Sequence, residues 1–185
     1  MTEAALAARV VAFAAPAALS TTQDVVRAVL PALTDQADPA LVAEETLALV
    51  ATVTARAAEV GLRTRPEALA AVGPALAEVP FLYHDFLLGA AVVAAGGEGD
   101  HEPDQSVYER LDRKLAFYTA HLAPGQFPGP SLLRDKLPLW MGRVSPPKLP
   151  TSPDARLGET GLADVLAAHA RLVMAFAQKA ASDGL

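Results

Sequence analysis

Apolar residues recur at helical spacing along most of this chain, and no segment alternates apolar and polar residues as a strand would. In the first segment Leu6, Val10 and Phe13 stand at positions i, i+4 and i+7, which places them on one face of a helix. Thr2 precedes this segment and is a suitable N-cap. The pattern therefore predicts an N-terminal helix and indicates a chain built of helices.

The clearest helix is the segment DPALVAEETLALVATVTARAAEVG. Asp38 is the expected N-cap, Pro39 occupies the first helical position and Gly61 follows the last apolar residue. One face carries an apolar stripe that includes Val42 and Leu49. The polar residues on the remaining positions are predicted to form the outer face: Glu45, Thr52, Arg56 and Glu59.

Capping signals and periodicity predict the other helices. The capping box STTQ, at residues 20–23, predicts that a second helix begins there. In the segment 81–95, FLYHDFLLGAAVVAA, only His84 and Asp85 are polar, so this helix is expected to be buried and central. Further helices are predicted over residues 66–79, 104–122, 131–141 and 162–181, the last with a stripe of Leu162, Val165, Leu166, His169, Leu172, Val173 and Phe176.

Residues 124–161 differ from the rest because they hold eight of the 15 prolines. Proline keeps such a segment from forming one long helix. We expect a proline-rich arm that contains one short helix. The fold class predicted for residues 1–185 is thus all-α: a single-domain bundle of six to eight helices with this arm before the last helix.

Composition narrows the classes of function. The net charge of −6 is opposite to that of a general nucleic-acid binder. The absence of cysteine removes disulfides, thiol nucleophiles and cysteine metal sites. No uninterrupted apolar run reaches the ~18 residues of a membrane span, and the apolar stretch near the N-terminus is interpreted as a packed helix in preference to a signal peptide. We expect a cytoplasmic protein that binds neither nucleic acid nor membrane and carries no cofactor.

An acidic loop, GGEGDHEPDQSVYE, lies between two predicted helices. Its acids fall at the ligand spacing of a calcium-binding loop: Glu98, Asp100, Glu102, Asp104 and Glu109. A calcium-binding loop needs glycine at its sixth position, where the chain turns sharply. Here that position holds Pro103, whose φ is fixed near −65°. The favoured interpretation is a solvated connection, with a divalent-cation site as the alternative.

The stretch AAVVAAGGEGD followed by a charged helix resembles the tellurite-resistance TerB domain, an all-helical module with acidic positions after an alanine-rich helix. The resemblance covers about thirty residues, and Gly97 stands where that pattern has aspartate. The resemblance implies a helix–loop–helix at this point, and we carry no function over from it.

Four histidine or aspartate residues are candidates for catalysis: His84, Asp85, His121 and His169. The pair at 84–85 suggests metal-dependent phosphohydrolase chemistry, but no histidine precedes it to complete such a ligand set. His169 stands on an apolar stripe, where a hydrogen-bonded core imidazole is the simpler interpretation. Whether the histidines converge is left open by the sequence.

The arm also concentrates positive charge around the only tryptophan, Trp140. Its candidate partner-binding residues are Trp140, Arg134, Lys136, Arg143 and Lys148. The PxxP spacing that begins at Pro147 favours an extended path that aromatic grooves can bind. We expect a non-catalytic binding or scaffold protein that self-associates through this arm, as a homodimer or with a protein partner. The alternative is a small enzyme or ligand-binding domain with a polar site near His84 and Asp85.

Overall fold

The computed structural model describes residues 1–33, 38–85, 105–144 and 161–183. These residues form six α-helices and no strand, which confirms the all-α class and a helix number within the predicted range. In chain order the helices are α1 (Glu3–Val29), α2 (Pro39–Gly61), α3 (Pro66–Ala77), α4 (Gln105–His121), α5 (Pro130–Val144) and α6 (Leu162–Asp183). A short 3-10 turn, Leu30–Ala32, extends α1, and residues 79–85 are also helical.

Of the helices in the described part of the chain, α2 is the most enclosed. It contacts α1, α3, α4, α5 and α6, and 15 of its 23 residues are buried. It begins as predicted, because the side chain of Asp38 accepts a hydrogen bond from the Ala40 amide at 2.9 Å and Pro39 follows. A central position is expected for the helix over residues 81–95, and most of that segment lies outside the described residues. Of that segment the structure describes only 81–85, and there Leu82 is 64% exposed.

Helix α1 runs unbroken through the predicted capping box, so the prediction of a second helix at residues 20–23 is wrong. The Thr22 hydroxyl donates to the Ala18 carbonyl at 2.8 Å, inside the helix. Because this hydroxyl is hydrogen-bonded to the preceding turn of α1, Thr22 does not cap a new helix. Pro16 lies on the exposed side of α1. The buried positions form one stripe: Leu6, Ala7, Val10, Ala14, Ala18, Thr22, Val25 and Val29.

By length and composition, α1 is also long and apolar enough to cross a membrane. No membrane span was expected from the sequence, because no uninterrupted apolar run is long enough. Helix α1 meets the criterion of length and mean hydropathy although charged residues interrupt its apolar positions. A core helix and an N-terminal signal sequence pass the same test. In the fold described here, the buried stripe of α1 packs against α2, α3 and α6.

Two predicted helix faces differ from the structure. On α2, Glu45, Thr52 and Arg56 are buried rather than outward, because α4 and α5 pack against this side. The Thr52 hydroxyl donates a hydrogen bond to the Ala48 carbonyl at 2.8 Å, so this polar group is satisfied within the helix. On α6, Val165 and Leu172 belong to the predicted apolar stripe but are 45% and 56% exposed.

The described part of the arm lies on its own chain. Helix α5 is longer than the predicted residues 131–141 and contains Pro138, which is exposed. Leu133, Leu137 and Trp140 face inward, and Trp140 is only 1% exposed. Residues 145–160, including Lys148, lie outside the described residues.

Candidate functional site

A groove of about 600 Å³ lies between the end of α3 and the first turns of α4. Its apolar floor consists of Ala77, Phe81, Leu115 and Ala116. A second groove of about 320 Å³ continues it toward α2 and shares Ala77, Leu115 and Thr119. The two form one elongated depression with an apolar base, the shape that receives an extended or helical segment.

Acidic side chains surround the larger groove. Glu78, Glu109 and Asp112 line it and are exposed, and no basic side chain lines it among the described residues. Among these residues, two cations lie nearby: Arg56, which lines the second groove and pairs with Glu59 at 2.5 Å, and Arg113, which lies 3.8 Å from the Glu109 carboxylate in an exposed pair. Such a pair is largely screened by water. The rim therefore offers a negative potential beside an apolar floor.

At one end of this groove Tyr108 joins residues 79–85 to α4. Its hydroxyl donates to the Asp85 carboxylate at 2.5 Å, and its ring stacks on Phe81 with 5.3 Å between centroids. The hydrogen bond to Asp85 raises the pKa of Tyr108 to about 12. Asp85 thus pairs with Tyr108 and not with His84. The buried Nε2 of His84 has no hydrogen-bond partner in the part of the chain described.

On another side of α2 a charged network is enclosed. The Glu45 carboxylate, 2% exposed, accepts hydrogen bonds from Lys114 Nζ, the Tyr118 hydroxyl and the Arg143 guanidinium, each at 2.7 Å. Lys114 is itself 3% exposed. The Arg143 guanidinium also lies 4.5 Å from the ring centre of Phe117, a favourable cation–π distance. The network therefore ties α2, α4 and α5 together.

The ionisation of Glu45 follows from these contacts. Burial acts to raise the pKa of its carboxyl, but the hydrogen bonds from Arg143, Lys114 and Tyr118 outweigh burial and hold it below the usual value. Burial and the neighbouring Glu45 carboxylate raise the pKa of Tyr118. The network thus consists of an ionised carboxylate, two cations and a neutral phenol, with every member hydrogen-bonded.

His169 is a satisfied core imidazole, as its position on the apolar stripe predicts. Its Nδ1 lies 3.0 Å from the Thr21 hydroxyl and its Nε2 lies 2.7 Å from the Thr54 hydroxyl. Because Thr54 already donates its one hydroxyl hydrogen to the Val50 carbonyl, it accepts from Nε2–H. Nδ1 is then the acceptor of the Thr21 hydrogen. Burial lowers the pKa of His169 to about 4, so the ring is neutral.

The structure does not bring the candidate histidines together. His84 lies edge-on to Tyr108, His121 packs edge-on against Phe117 with 4.6 Å between ring centroids, and His169 lies between two threonines. Within the described ranges, no group of three or more His, Asp or Glu side chains is placed to hold a metal ion. Residues 105–109 of the candidate cation loop form the start of α4, which includes Glu109. Its other acids lie outside the described residues, so that alternative stays a prediction: Glu98, Asp100, Glu102 and Asp104.

The predicted partner-binding residues have different surroundings. Trp140 is in the core of its own chain, so its ring is not available at the surface. Arg143 is held by Glu45, and Arg134 pairs with Asp164 at 2.9 Å in an exposed contact. Lys136 is partly exposed.

Sequence reasoning named Glu109 only as a candidate cation ligand, and it missed both the groove and the Glu45 network. A signal for the network was present. Glu45 follows Val42 by three residues and precedes Leu49 by four, and Lys114 has the same relation to Leu111 and Tyr118. Both charges thus stand within apolar stripes.

Comparisons of the chain with protein-family models, curated proteins and solved structures give no match.

Proposed function

We propose that this protein is a non-catalytic helical binding protein, and that the groove between α3 and α4 receives a cationic amphipathic helix of a protein partner. The observation that carries the proposal is the combination of an apolar floor with a rim of Glu78, Glu109 and Asp112. An amphipathic helix presents apolar anchors three and four residues apart, which suits an elongated apolar base. Lysine or arginine beside those anchors would meet the acids of the rim.

The state of the buried ionisable groups supports a non-catalytic role. Glu45 is ionised and accepts four hydrogen bonds from three side chains, and both ring nitrogens of His169 are engaged. Neither group offers a free lone pair or a transferable proton to a substrate. The earlier expectations of self-association through the arm and of a cytoplasmic location also remain proposals.

A peptide titration tests the groove directly. The probe is a labelled synthetic amphipathic helix with leucines on one face and lysines beside them, measured by fluorescence anisotropy. We expect saturable binding that weakens about tenfold or more in the double variant Glu78→Lys, Asp112→Lys. Ala116→Trp, which places a large side chain in the groove from an exposed position, should abolish binding while helicity stays unchanged.

The matched control is Asp135→Lys, which reverses an exposed acid on α5 away from the groove. It should change the affinity less than twofold or so, because general charge effects of the whole protein are weak at physiological salt. Equal weakening by the control would show non-specific attraction. Tight binding that survives Ala116→Trp would place the peptide elsewhere and contradict the proposal.

A small-molecule site at the end of the groove is the second candidate, favoured by the unpartnered Nε2 of His84 beside the Asp85–Tyr108 hydrogen bond. A ligand with a complementary polar atom could bind that nitrogen. A compound that raises the melting temperature of the protein, and fails to do so in His84→Phe, would favour this candidate over the peptide groove.

A further inference from the structure

Helix α6 carries an apolar stripe that faces solvent. Val165 and Leu172 are 45% and 56% exposed, and Ala168 and Ala175 between and after them are also exposed. The four residues stand at i, i+3, i+7 and i+10, which is the spacing of the contact positions of a coiled coil. We call these four residues the outer stripe.

From the outer stripe we infer that a second copy of this chain packs antiparallel against α6 and forms a symmetric dimer. A two-fold axis makes one patch serve both sides of the contact, so the patch has to be complementary to itself. This inference rests on α6 alone and is independent of the groove between α3 and α4.

The side-chain sizes fit an antiparallel arrangement. When Val165 lies opposite Ala175 of the second copy, Leu172 lies opposite Ala168 of the second copy. Each large side chain thus meets a small one, which lets the helices approach and fill the contact without voids. Parallel pairing would instead set Leu172 against Leu172 and leave the alanines facing each other.

The charges at the two ends of the stripe favour the same direction. Asp164 stands at its start, in an exposed pair with Arg134 at 2.9 Å, and Lys179 stands near its end; both are exposed. Antiparallel packing brings Asp164 within about one helical turn of Lys179 of the second copy, whereas parallel packing brings like charges together. The two Arg171 side chains lie near the axis, and their length allows the guanidinium groups to extend into solvent.

Sedimentation tests the dimer. We expect a mass twice the chain mass of 19.2 kDa, and a dissociation constant at least about tenfold higher in Leu172→Glu. The control is Leu82→Glu, since Leu82 is an equally exposed leucine outside α6. It should leave the dimer intact, and circular dichroism should show both variants folded. A wild-type protein that stays monomeric, or a dimer that survives Leu172→Glu, would overturn the inference.

Spin labels test the direction of packing, and the absence of cysteine makes single-site labelling clean. The antiparallel register places its centre at residue 170. Labels at Arg171→Cys are then separated by roughly 3 Å along the helix axis, and labels at Ser182→Cys by roughly 36 Å. Pulsed electron resonance should therefore find a short distance for the first and a long distance for the second. Short distances for both would indicate parallel packing and overturn the proposed register.

Discussion

At the scale of single residues, His169 shows how a core can hold a titratable group without using its charge. Its two ring nitrogens bond to Thr21 and Thr54, one as acceptor and one as donor. Protonation of Nδ1 would turn an acceptor into a donor against a hydroxyl that now donates. The site therefore accepts only the neutral ring.

This arrangement predicts a pH-dependent stability. The pKa of His169 is about 4 in the fold against 6.5 for an ordinary histidine, so the unfolded chain binds the proton first as the pH falls. The contribution of the neutral His169 ring to the free energy of unfolding is complete above pH 6.5 and is lost progressively between about pH 6.5 and 4. The loss amounts to about 3 kcal/mol at the lower end.

Urea unfolding at several pH values measures this dependence. His169→Gln keeps hydrogen-bonding capacity but does not titrate, so its stability should be flatter across the same window. An unchanged slope in the variant would assign the pH dependence to other groups.

At the scale of elements, the ends of the helices were the most predictable feature. Asp38 and Pro39 begin α2 as predicted, because capping and backbone preferences act over a few residues, whereas Gly61, expected just past the end, is the last helical residue and Leu62 is the C-cap. The false start at residues 20–23 shows the limit of such signals. A threonine can satisfy its hydroxyl within a helix as well as at its start, and only the packing of α1 against other helices decides between them.

Gly61 also allows a close approach of two helices. A Cβ atom there would lie 2.7 Å from the Cβ of Ala177 and 2.8 Å from the carbonyl oxygen of Met174, both on α6. We predict that Gly61→Ala lowers the free energy of unfolding by ~1–3 kcal/mol, because α2 and α6 would have to separate.

The control is Gly142→Ala on α5, where an added Cβ meets nothing within 4 Å. This variant should raise the free energy of unfolding by ~0.4–1 kcal/mol, since it restricts only the unfolded chain. Chemical denaturation of both variants checks the pair. Equal effects would mean that the contact between α2 and α6 is looser than described.

At the scale of the whole molecule, the interior is organised around charge as well as apolar packing. Glu45 was assigned to the outer face of α2 because a charged residue in an isolated helix belongs in water. Its three donors come from α4 and α5, and no single-helix pattern reveals them. The groove escaped prediction for a related reason, since its floor and rim belong to segments distant in sequence.

Glu45→Gln is predicted to cost ~3 kcal/mol of stability, because the buried Lys114 would keep only Glu44, at 3.5 Å, and the part-exposed Arg143 would lose its ionic partner. Glu44→Gln is the comparison at the exposed edge of the same cluster. Glu44 pairs with Arg110 at 2.8 Å and lies 3.5 Å from Lys114, but its side chain is 23% exposed and Lys114 would keep Glu45, so about 1 kcal/mol or less is expected. Thermal and urea unfolding compare the two. A loss for Glu45→Gln no larger than for Glu44→Gln would contradict an integrating role for the network.

The Glu45 network also sets an order in which this sequence can diverge. Loss of Arg143 leaves the carboxylate with Lys114 and Tyr118, and loss of Lys114 leaves it with Arg143 and Tyr118. Loss of Glu45 first would leave the buried Lys114 with Glu44 alone, 3.5 Å away, and would remove the ionic partner of Arg143. Descendants of this chain should therefore exchange the donors before the acceptor, and a lineage with an apolar residue at position 45 should already have replaced Lys114.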